Sequence, residues 1–302
     1  MRKSFLLIPL AGLLATGSCT PEKGPYINFF GGKAADTTYT ASPESSQLRN
    51  VLMEEFTGAS CPNCPQGHAI IASLEAANPN RIVAIGIHVF NFSQANPIPG
   101  LSLYDFRTQV GSNLATAIFG AVSFEPSAVI NRKYDSSTTS YYIDRDFWGQ
   151  QVNASLATAT PVNMYLTSVF DSSLMQSIID VKVAFTQSYS KKVNLTVAIT
   201  EDDIIDAQED IDAQNHVVKD TIYTHKHVLR DILTTTPGGD SFLDSLTTKT
   251  AGRVYERVFV YKPNDTTWNK KWNLNNCKVV AFVNDNMPND KLVQQAISTK
   301  LK

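Results

Sequence analysis

The chain has 302 residues, 43% of them hydrophobic and 18% charged, which is enough apolar material for one large domain or two ordinary ones. Gly and Pro number 15 and 14, so collagen-like and low-complexity chains are excluded. With 26 basic and 28 acidic residues the net charge is −2, and the stretches 1–45, 46–150 and 151–302 carry +1, −2 and −1. No part holds the positive excess that nucleic acid demands, and nucleic acid is not expected as a partner.

The N-terminus reads as an export signal. Arg2 and Lys3 precede an apolar run from Phe5 to Ala15; the small residues Thr16, Gly17 and Ser18 follow, and Cys19 comes directly after them. The arrangement resembles a bacterial lipoprotein signal, in which residues 1–18 are removed and Cys19 becomes the lipidated first residue, although Thr16 stands where that pattern prefers Leu. An ordinary signal peptide cut near Ser18 is the alternative. No later stretch reaches ~18 apolar residues, so the mature protein is expected to be anchored to a membrane and not to span it. Residues 19–45, with Pro21, Pro25, Gly31, Gly32 and Pro43, read as a tether, with Tyr26 to Phe30 as a candidate edge strand.

Arg49 to Phe56 reads as a strand, Thr57 to Ser60 as a turn, and His68 to Ala77 as a helix with apolar residues at Ile70, Ile71, Leu74 and Ala77, stopped by Asn78-Pro79-Asn80. The near-continuous apolar run from Arg81 to Phe90 has the pattern of a strand covered on both faces. Between strand and helix lies Cys61-Pro62-Asn63-Cys64, and a CxxC inside a strand–helix–strand unit reads as a thioredoxin-like redox motif. A cysteine at a helix N-terminus faces unpaired N–H groups that stabilise a thiolate, the nucleophile of disulfide exchange. A spacing of three sets the second sulfur one turn behind, ready to resolve a mixed disulfide. Cys61 is therefore the expected attacking thiol and Cys64 the resolving one, with Pro62 in the first helical turn and Pro65 fitting only if the helix starts near Cys64. Residues 91–119 are longer than this unit needs; Asn96 to Gly100 reads as a loop and Tyr104 to Phe119 as a helix.

The flanks resemble thioredoxins further. That resemblance implies that Glu55, six residues before Cys61, is the buried proton acceptor beneath the resolving thiol, with Glu54 as the rival on the other strand face. It also implies that Pro126 of Phe124-Glu125-Pro126 is a cis-proline beside the CxxC and that Glu125 offers backbone pairing to an extended substrate. The signal, the run Val51 to Gly58, the run Cys61 to His68 and the segment Pro126 to Arg132 together resemble the twenty-eight-kilodalton outer-membrane-protein-related family of Gram-negative bacteria. The resemblance implies a thioredoxin-like domain followed by a β-rich domain in an outer-membrane lipoprotein. Ser60 stands where thioredoxin-like enzymes often carry Trp.

After Trp148 the periodicity changes to that of strands, at Val181–Phe185, Val193–Ile199, Arg253–Tyr261 and Lys278–Val283, with turns at Pro263-Asn264-Asp265 and Asn284-Asp285-Asn286. The expected fold is α/β plus all-β: a thioredoxin-like domain over 46–150 and an antiparallel, immunoglobulin-like β-sandwich over 151–302. Cys277 reads as a buried small hydrophobe. His225 and His227 share a strand face without a third ligand, and the acidic run from Glu201 to Asp212 lacks the spacing of an EF-hand and reads as a solvated loop. His68 lies on the CxxC helix and reads as packing or surface. A zinc site at the CxxC needs two more ligands, and no second CxxC exists, so neither metal nor cofactor is expected.

Two functions follow. The first is thiol–disulfide exchange with protein thiols or disulfides in the cell envelope, with Cys61 attacking, Cys64 resolving, Glu55 moving the proton, and Glu125 and Pro126 positioning the substrate. The second is a non-catalytic surface binding or adhesion lipoprotein in which the CxxC is a structural disulfide; Ser60, the insertion and the large β half favour it. Closing so short a loop stabilises little, which favours the first.

Overall fold

The computed structural model describes residues 36–263, 272–288 and 290–302. The expected signal segment, Cys19, the candidate strand Tyr26–Phe30 and the Asn264-Asp265 part of the expected turn lie outside these residues. The strands are β1 (Thr37–Thr40), β2 (Val51–Phe56), β3 (Ile82–Ile87), β4 (Ser127–Ile130), β5 (Ile143–Asp144), β6 (Val162–Asp171), β7 (Gln176–Phe185) and β8 (Val193–Glu201). They continue as β9 (Ile204–Ile211), β10 (Val217–His225), β11 (Val228–Ile232), β12 (Asp240–Phe242), β13 (Arg253–Tyr261), β14 (Cys277–Asp285) and β15 (Val293–Lys300). The helices are α1 (Cys64–Ala77), α2 (Gln109–Leu114) and α3 (Trp148–Leu156).

Strand, CxxC, helix and buried strand follow in the order that the residues dictate. Every residue of β2, β3 and β4 is buried; the unbroken apolar run of β3 requires it, whereas β2 buries Glu54 and Glu55 and β4 buries Ser127 as well. Helix α1 begins at Cys64, which puts Pro65 in its first turn, where a missing N–H loses no helical bond. The helix read over Tyr104 to Phe119 is shorter: α2 starts after Thr108, whose hydroxyl accepts from the Gly111 N–H, and runs into one turn of π-helix, Ala115–Phe119.

The strands form a nine-stranded mixed sheet ordered β15-β14-β8-β11-β3-β2-β4-β5, with β12 also on β8, a four-stranded sheet β1-β13-β7-β6, and the hairpin β9–β10. At the β2–β3–β4 end, α1 and α3 cover one face through Ile71, Leu74, Trp148 and Val152. The α2 segment covers the other through Leu114 and Ala115. At the far end the four-stranded sheet packs on β8 and β14 across a core of Val181, Val183, Val197 and Val279. The stretch Thr37–Thr40, read as tether, is an edge strand paired with β13.

This architecture overturns the expected fold class. The chain is mostly β, and among the described residues there is neither a self-contained thioredoxin-like α/β domain nor a separate immunoglobulin-like sandwich. Strands β2 to β5 are one end of a sheet whose other end supplies half of the β core. Local periodicity specifies each strand but says nothing about which strand occupies the outer edge of β3, and β11 occupies it, in parallel, at Val228 opposite Gly86. The Gly86 N–H donates to the His227 carbonyl at 2.7 Å. A second join lies at the start of β2, where the buried Arg49 guanidinium donates to the carbonyls of Val293 and Gln294 at 3.0 and 3.1 Å. Cutting at residue 150 strands these buried donors, so an isolated 46–150 fragment is expected to lack near-ultraviolet circular dichroism and a cooperative urea transition. A fragment that unfolds cooperatively would refute this.

A candidate redox site beneath a hairpin

Cys61 lies in the turn after β2, Cys64 is the first residue of α1, and the two are joined as a disulfide. The Cys64 N–H donates to the Cys61 carbonyl at 3.1 Å. Cys64 therefore sits within the helical turn whose free N–H groups carry the positive end of the dipole, and Cys61 and Pro62 lie just ahead of it.

Both cysteines are fully buried, and the cover comes from a stretch read as loop. The Gln208 side-chain amide on β9 donates to the carbonyls of Gly58 and Cys61, each at 3.0 Å, and the Glu209 N–H donates to the Ala59 carbonyl at 2.8 Å. A Cβ on Gly58 would fall 2.1 Å from the Gln94 carbonyl oxygen, so only glycine fits this turn. The acidic run is accordingly not a solvated loop. Glu201 ends β8 and accepts from Arg230 at 2.8 Å; Asp206 on β9 is buried and accepts the N–H groups of Leu103 and Tyr104 at 2.7 and 2.9 Å. Inward acidic and amide side chains, Asp206 and Gln208, hide the strand from hydrophobic periodicity, and backbone groups bond the carboxylate and the amide nitrogen there.

Two carboxyls approach the disulfide. Adjacent residues of β2 face opposite ways: Glu54 is held by Arg132 through Nε and Nη2 at 2.9 and 2.7 Å, whereas Glu55 faces α1. Gly67 permits that approach, since a Cβ there would lie 2.9 Å from Glu55 Oε1 and 3.1 Å from Pro126. The Glu125–Pro126 bond is cis. The Glu125 carboxylate and the Cys61 and Cys64 sulfurs lie within 4.8 Å of one another. Both Glu125 oxygens, and Oε1 of Glu55, are buried without a hydrogen-bond partner. Burial pushes Glu125 up to about 8. Burial, with the Glu125 charge adding, holds Glu55 well above the usual carboxylate range.

His68, expected as packing or surface, contacts Glu55 at 3.7 Å, Thr57 Oγ1 at 3.0 Å and the Tyr223 hydroxyl at 2.6 Å. Burial first, then His225 and His227, pull its pKa down to about 3, while burial raises Glu55, and both shifts disfavour an ion pair between them. A cleft of about 410 Å³ opens beside them, lined by Glu55, His68, Glu75, Tyr223 and His227. The sulfurs do not line it. Sequence reasoning missed Gln208, Tyr223 and the Glu125 side chain; the Gln208 and Tyr223 signals were lost with the hairpin, and the Glu125 side chain was passed over for its backbone.

His225 and His227 do not share a strand face. β10 ends at His225, which is buried against Phe106 and Tyr223, and His227 has a left-handed backbone (φ 58°) and contacts Asp202 and Glu75 at 3.3 and 3.4 Å. Cys277 on β14 is buried, and burial pushes its thiol up to about 12.

Fold and site together define a β-rich protein that carries a covered CxxC disulfide between a strand and a helix. The family model described as outer membrane protein Omp28 matches residues 115–301, more than half of the chain, and the chain belongs to that family. The family associates it with the outer membrane. The matched stretch holds Glu125, Pro126 and the β9–β10 hairpin but not the CxxC. Among solved structures, the chain is similar to HBP35 of Porphyromonas gingivalis, at 17% identity and a TM-score of 0.61, over 85% of this chain and 77% of that one. That likeness concerns the fold alone, and its extent carries it across residue 150. A structural-genomics protein from Agrobacterium tumefaciens is 12% identical with a TM-score of 0.48, over 85% of this chain and 97% of that one. No curated protein matches the sequence. Among the described residues no helix is long and apolar enough to cross a membrane.

The buried titratable groups set opposed pH limits. Burial lowers His225 from 6.5 to about 4, so the native state binds fewer protons than the unfolded chain, and stability falls as pH drops from 6.5 towards 4. Glu125 is raised from 4.5 to about 8, so its contribution is present below 4.5 and is lost as pH rises through 8. Urea-unfolding free energies should flatten on the acid limb in His225→Phe and on the alkaline limb in Glu125→Gln. Limbs unchanged in both variants would remove the assignment.

Proposed function

We propose that this protein is a lipid-anchored outer-membrane protein that exchanges thiols and disulfides with envelope proteins through Cys61 and Cys64. The observation that carries the reading is the buried Glu125 carboxyl, without a hydrogen-bond partner, against the CxxC disulfide, with the buried Glu55 facing Gly67 of the CxxC helix. Such groups cost free energy to bury, and a purely structural bridge gains nothing from them. A reducible pair does: its two-electron reduction takes up two protons as well. In the reducing direction the Cys61 thiolate attacks a substrate disulfide and expels one substrate thiolate; the ionised form of Glu55 then takes the Cys64 proton, Cys64 attacks Cys61 Sγ, and the second substrate sulfur leaves as a thiolate that is protonated from solvent. Glu125 and Pro126 would bound the substrate side of the pair. Because β9 covers Cys61, exchange requires the hairpin to lift.

The complete burial of both sulfurs supports the second reading, a binding or adhesion lipoprotein with a structural disulfide. The reduction potential decides between them, measured on the chain from residue 20 with Cys277→Ser. A value between about −120 and −270 mV is expected, with Cys64→Ala trapping mixed disulfides and Cys61→Ala not. A value below about −300 mV with both sulfurs slow to alkylate would leave the structural bridge. The anchor rests on the sequence before Cys19: Cys19→Ala is expected to lose labelled palmitate and to leave the membrane fraction, and retention of both would refute it.

A further inference from the structure

We propose that, once the Cys61–Cys64 disulfide is reduced, the two thiolates and the Glu125 carboxylate form a three-ligand site for a divalent cation of the zinc type. All three donor atoms lie within 4.8 Å of one another in a buried setting. Neither oxygen of Glu125, itself 7% exposed, has a hydrogen-bond partner, although it is placed against the sulfurs. A buried carboxyl whose oxygens have no partner has unused acceptor capacity, which a cation would fill once the carboxyl proton is lost.

The donor set is chemically specific. Two thiolates and one carboxylate suit a borderline-soft tetrahedral ion, and zinc–sulfur and zinc–oxygen bonds of about 2.3 and 2.1 Å place such ligand atoms roughly 3.6–3.8 Å apart. Contraction of the carboxylate and separation of the two sulfurs reach that spacing. Three protein ligands leave one position for water, the arrangement of an open site. The start of α1, which carries Cys64, adds the positive end of a 14-residue helix beside the anionic ligands. The third ligand is 61 residues beyond Cys64 in the chain, so a search for zinc spacing around the CxxC does not find it.

The reaction needs a reductant, a dithiol or a phosphine. The dithiol breaks the sulfur–sulfur bond, yields two thiols and becomes a cyclic disulfide itself. The cation then displaces the two thiol protons and the carboxyl proton to solvent, leaving one net negative charge at the site. This inference goes beyond the exchange reading and needs only that the pair be reducible, so a chain that fails to exchange with proteins can still bind metal.

The test uses the chain with Cys277→Ser, reduced by a phosphine, desalted without oxygen and titrated with cobalt(II), then zinc(II). Reduced protein should show thiolate-to-cobalt charge-transfer absorption and the intense visible bands of four-coordinate cobalt at one ion per chain. Oxidised protein should show neither. Glu125→Gln should weaken zinc binding by more than about tenfold in competition with a chromophoric chelator. X-ray absorption on the zinc-loaded Cys277→Ser chain, with Glu125 intact, should give two sulfurs with oxygen neighbours and no imidazole scattering, a readout that stands even if Glu125→Gln does not fold. Absent charge-transfer bands, full affinity in folded Glu125→Gln, imidazole scattering or four sulfurs per ion would each overturn the proposal.

Discussion

The join between β3 and β11 is the constraint on which the site depends. Val228 meets Gly86 in parallel there, and the Gly86 N–H reaches the His227 carbonyl at 2.7 Å. Residue 227 is one position before β11 and two beyond the end of β10, so this pairing anchors the base of the β9–β10 hairpin at the strand that leads away from α1. The hairpin is thereby delivered across the loop that holds Cys61, where Gln208 and Glu209 bond to the carbonyls of Gly58, Ala59 and Cys61. A free-standing α/β unit would have left β3 with an open edge and the disulfide in solvent. Fusion of the sheet covers both.

Neighbouring carboxyls on β2 show how environment assigns roles. Glu54 is buried but meets a buried Arg132 with two-pronged geometry, and that guanidinium also lies 4.6 Å from the Phe282 ring. A buried pair of this quality holds strands together without chemistry to spare, and removal of one partner typically costs 3–5 kcal/mol. Glu55, one residue on, has no cation within its reach. It meets His68 and the Glu125 carboxyl instead, and desolvation, with the Glu125 charge adding, raises its pKa. Strand alternation alone separates a structural charge from a chemical one.

Much of the α/β part of this site was legible in the sequence: the strand with paired glutamates, the CxxC, the helix stopped at Asn78 and the buried strand after it, whereas the Glu125-Pro126 segment came only from the resemblance to thioredoxins. The former are local patterns, and local physics fixes them. The sheet order was not legible, because Val228 opposite Gly86 is a pairing across 142 residues with no signature at either end. Strand β9 was hidden for a different reason. Its inward positions are Ile204, Asp206 and Gln208, so two of three read as solvent-facing although backbone groups bond the Asp206 carboxylate and the Gln208 amide nitrogen. Strand β10, mostly exposed from Val217 to Tyr223, has no buried face to announce it until His225.

Burial of the sulfurs does not by itself decide whether they react; the cost of uncovering them does. Three hydrogen bonds hold β9 on the CxxC loop, and at a net worth of about 1 kcal/mol each they oppose opening by roughly 3 kcal/mol. The apolar cover over the loop adds the small contact of Ala207 with Ala59 and Ile98. Lifting the hairpin also breaks the Asp206 bonds to Leu103 and Tyr104 and the Tyr223–His68 bond, so at most about one molecule in a hundred or a few hundred is open, which slows attack at Cys61 by at least that factor. Glu125 and Glu55 are not part of that cover. They lie on the approach to β4 and on β2, outside the hairpin, Glu125 against the sulfurs and Glu55 facing Gly67 of α1. The proton-holding groups thus belong to the rigid sheet and access belongs to the hairpin, so reactivity and exposure of the disulfide are set by different parts of the chain.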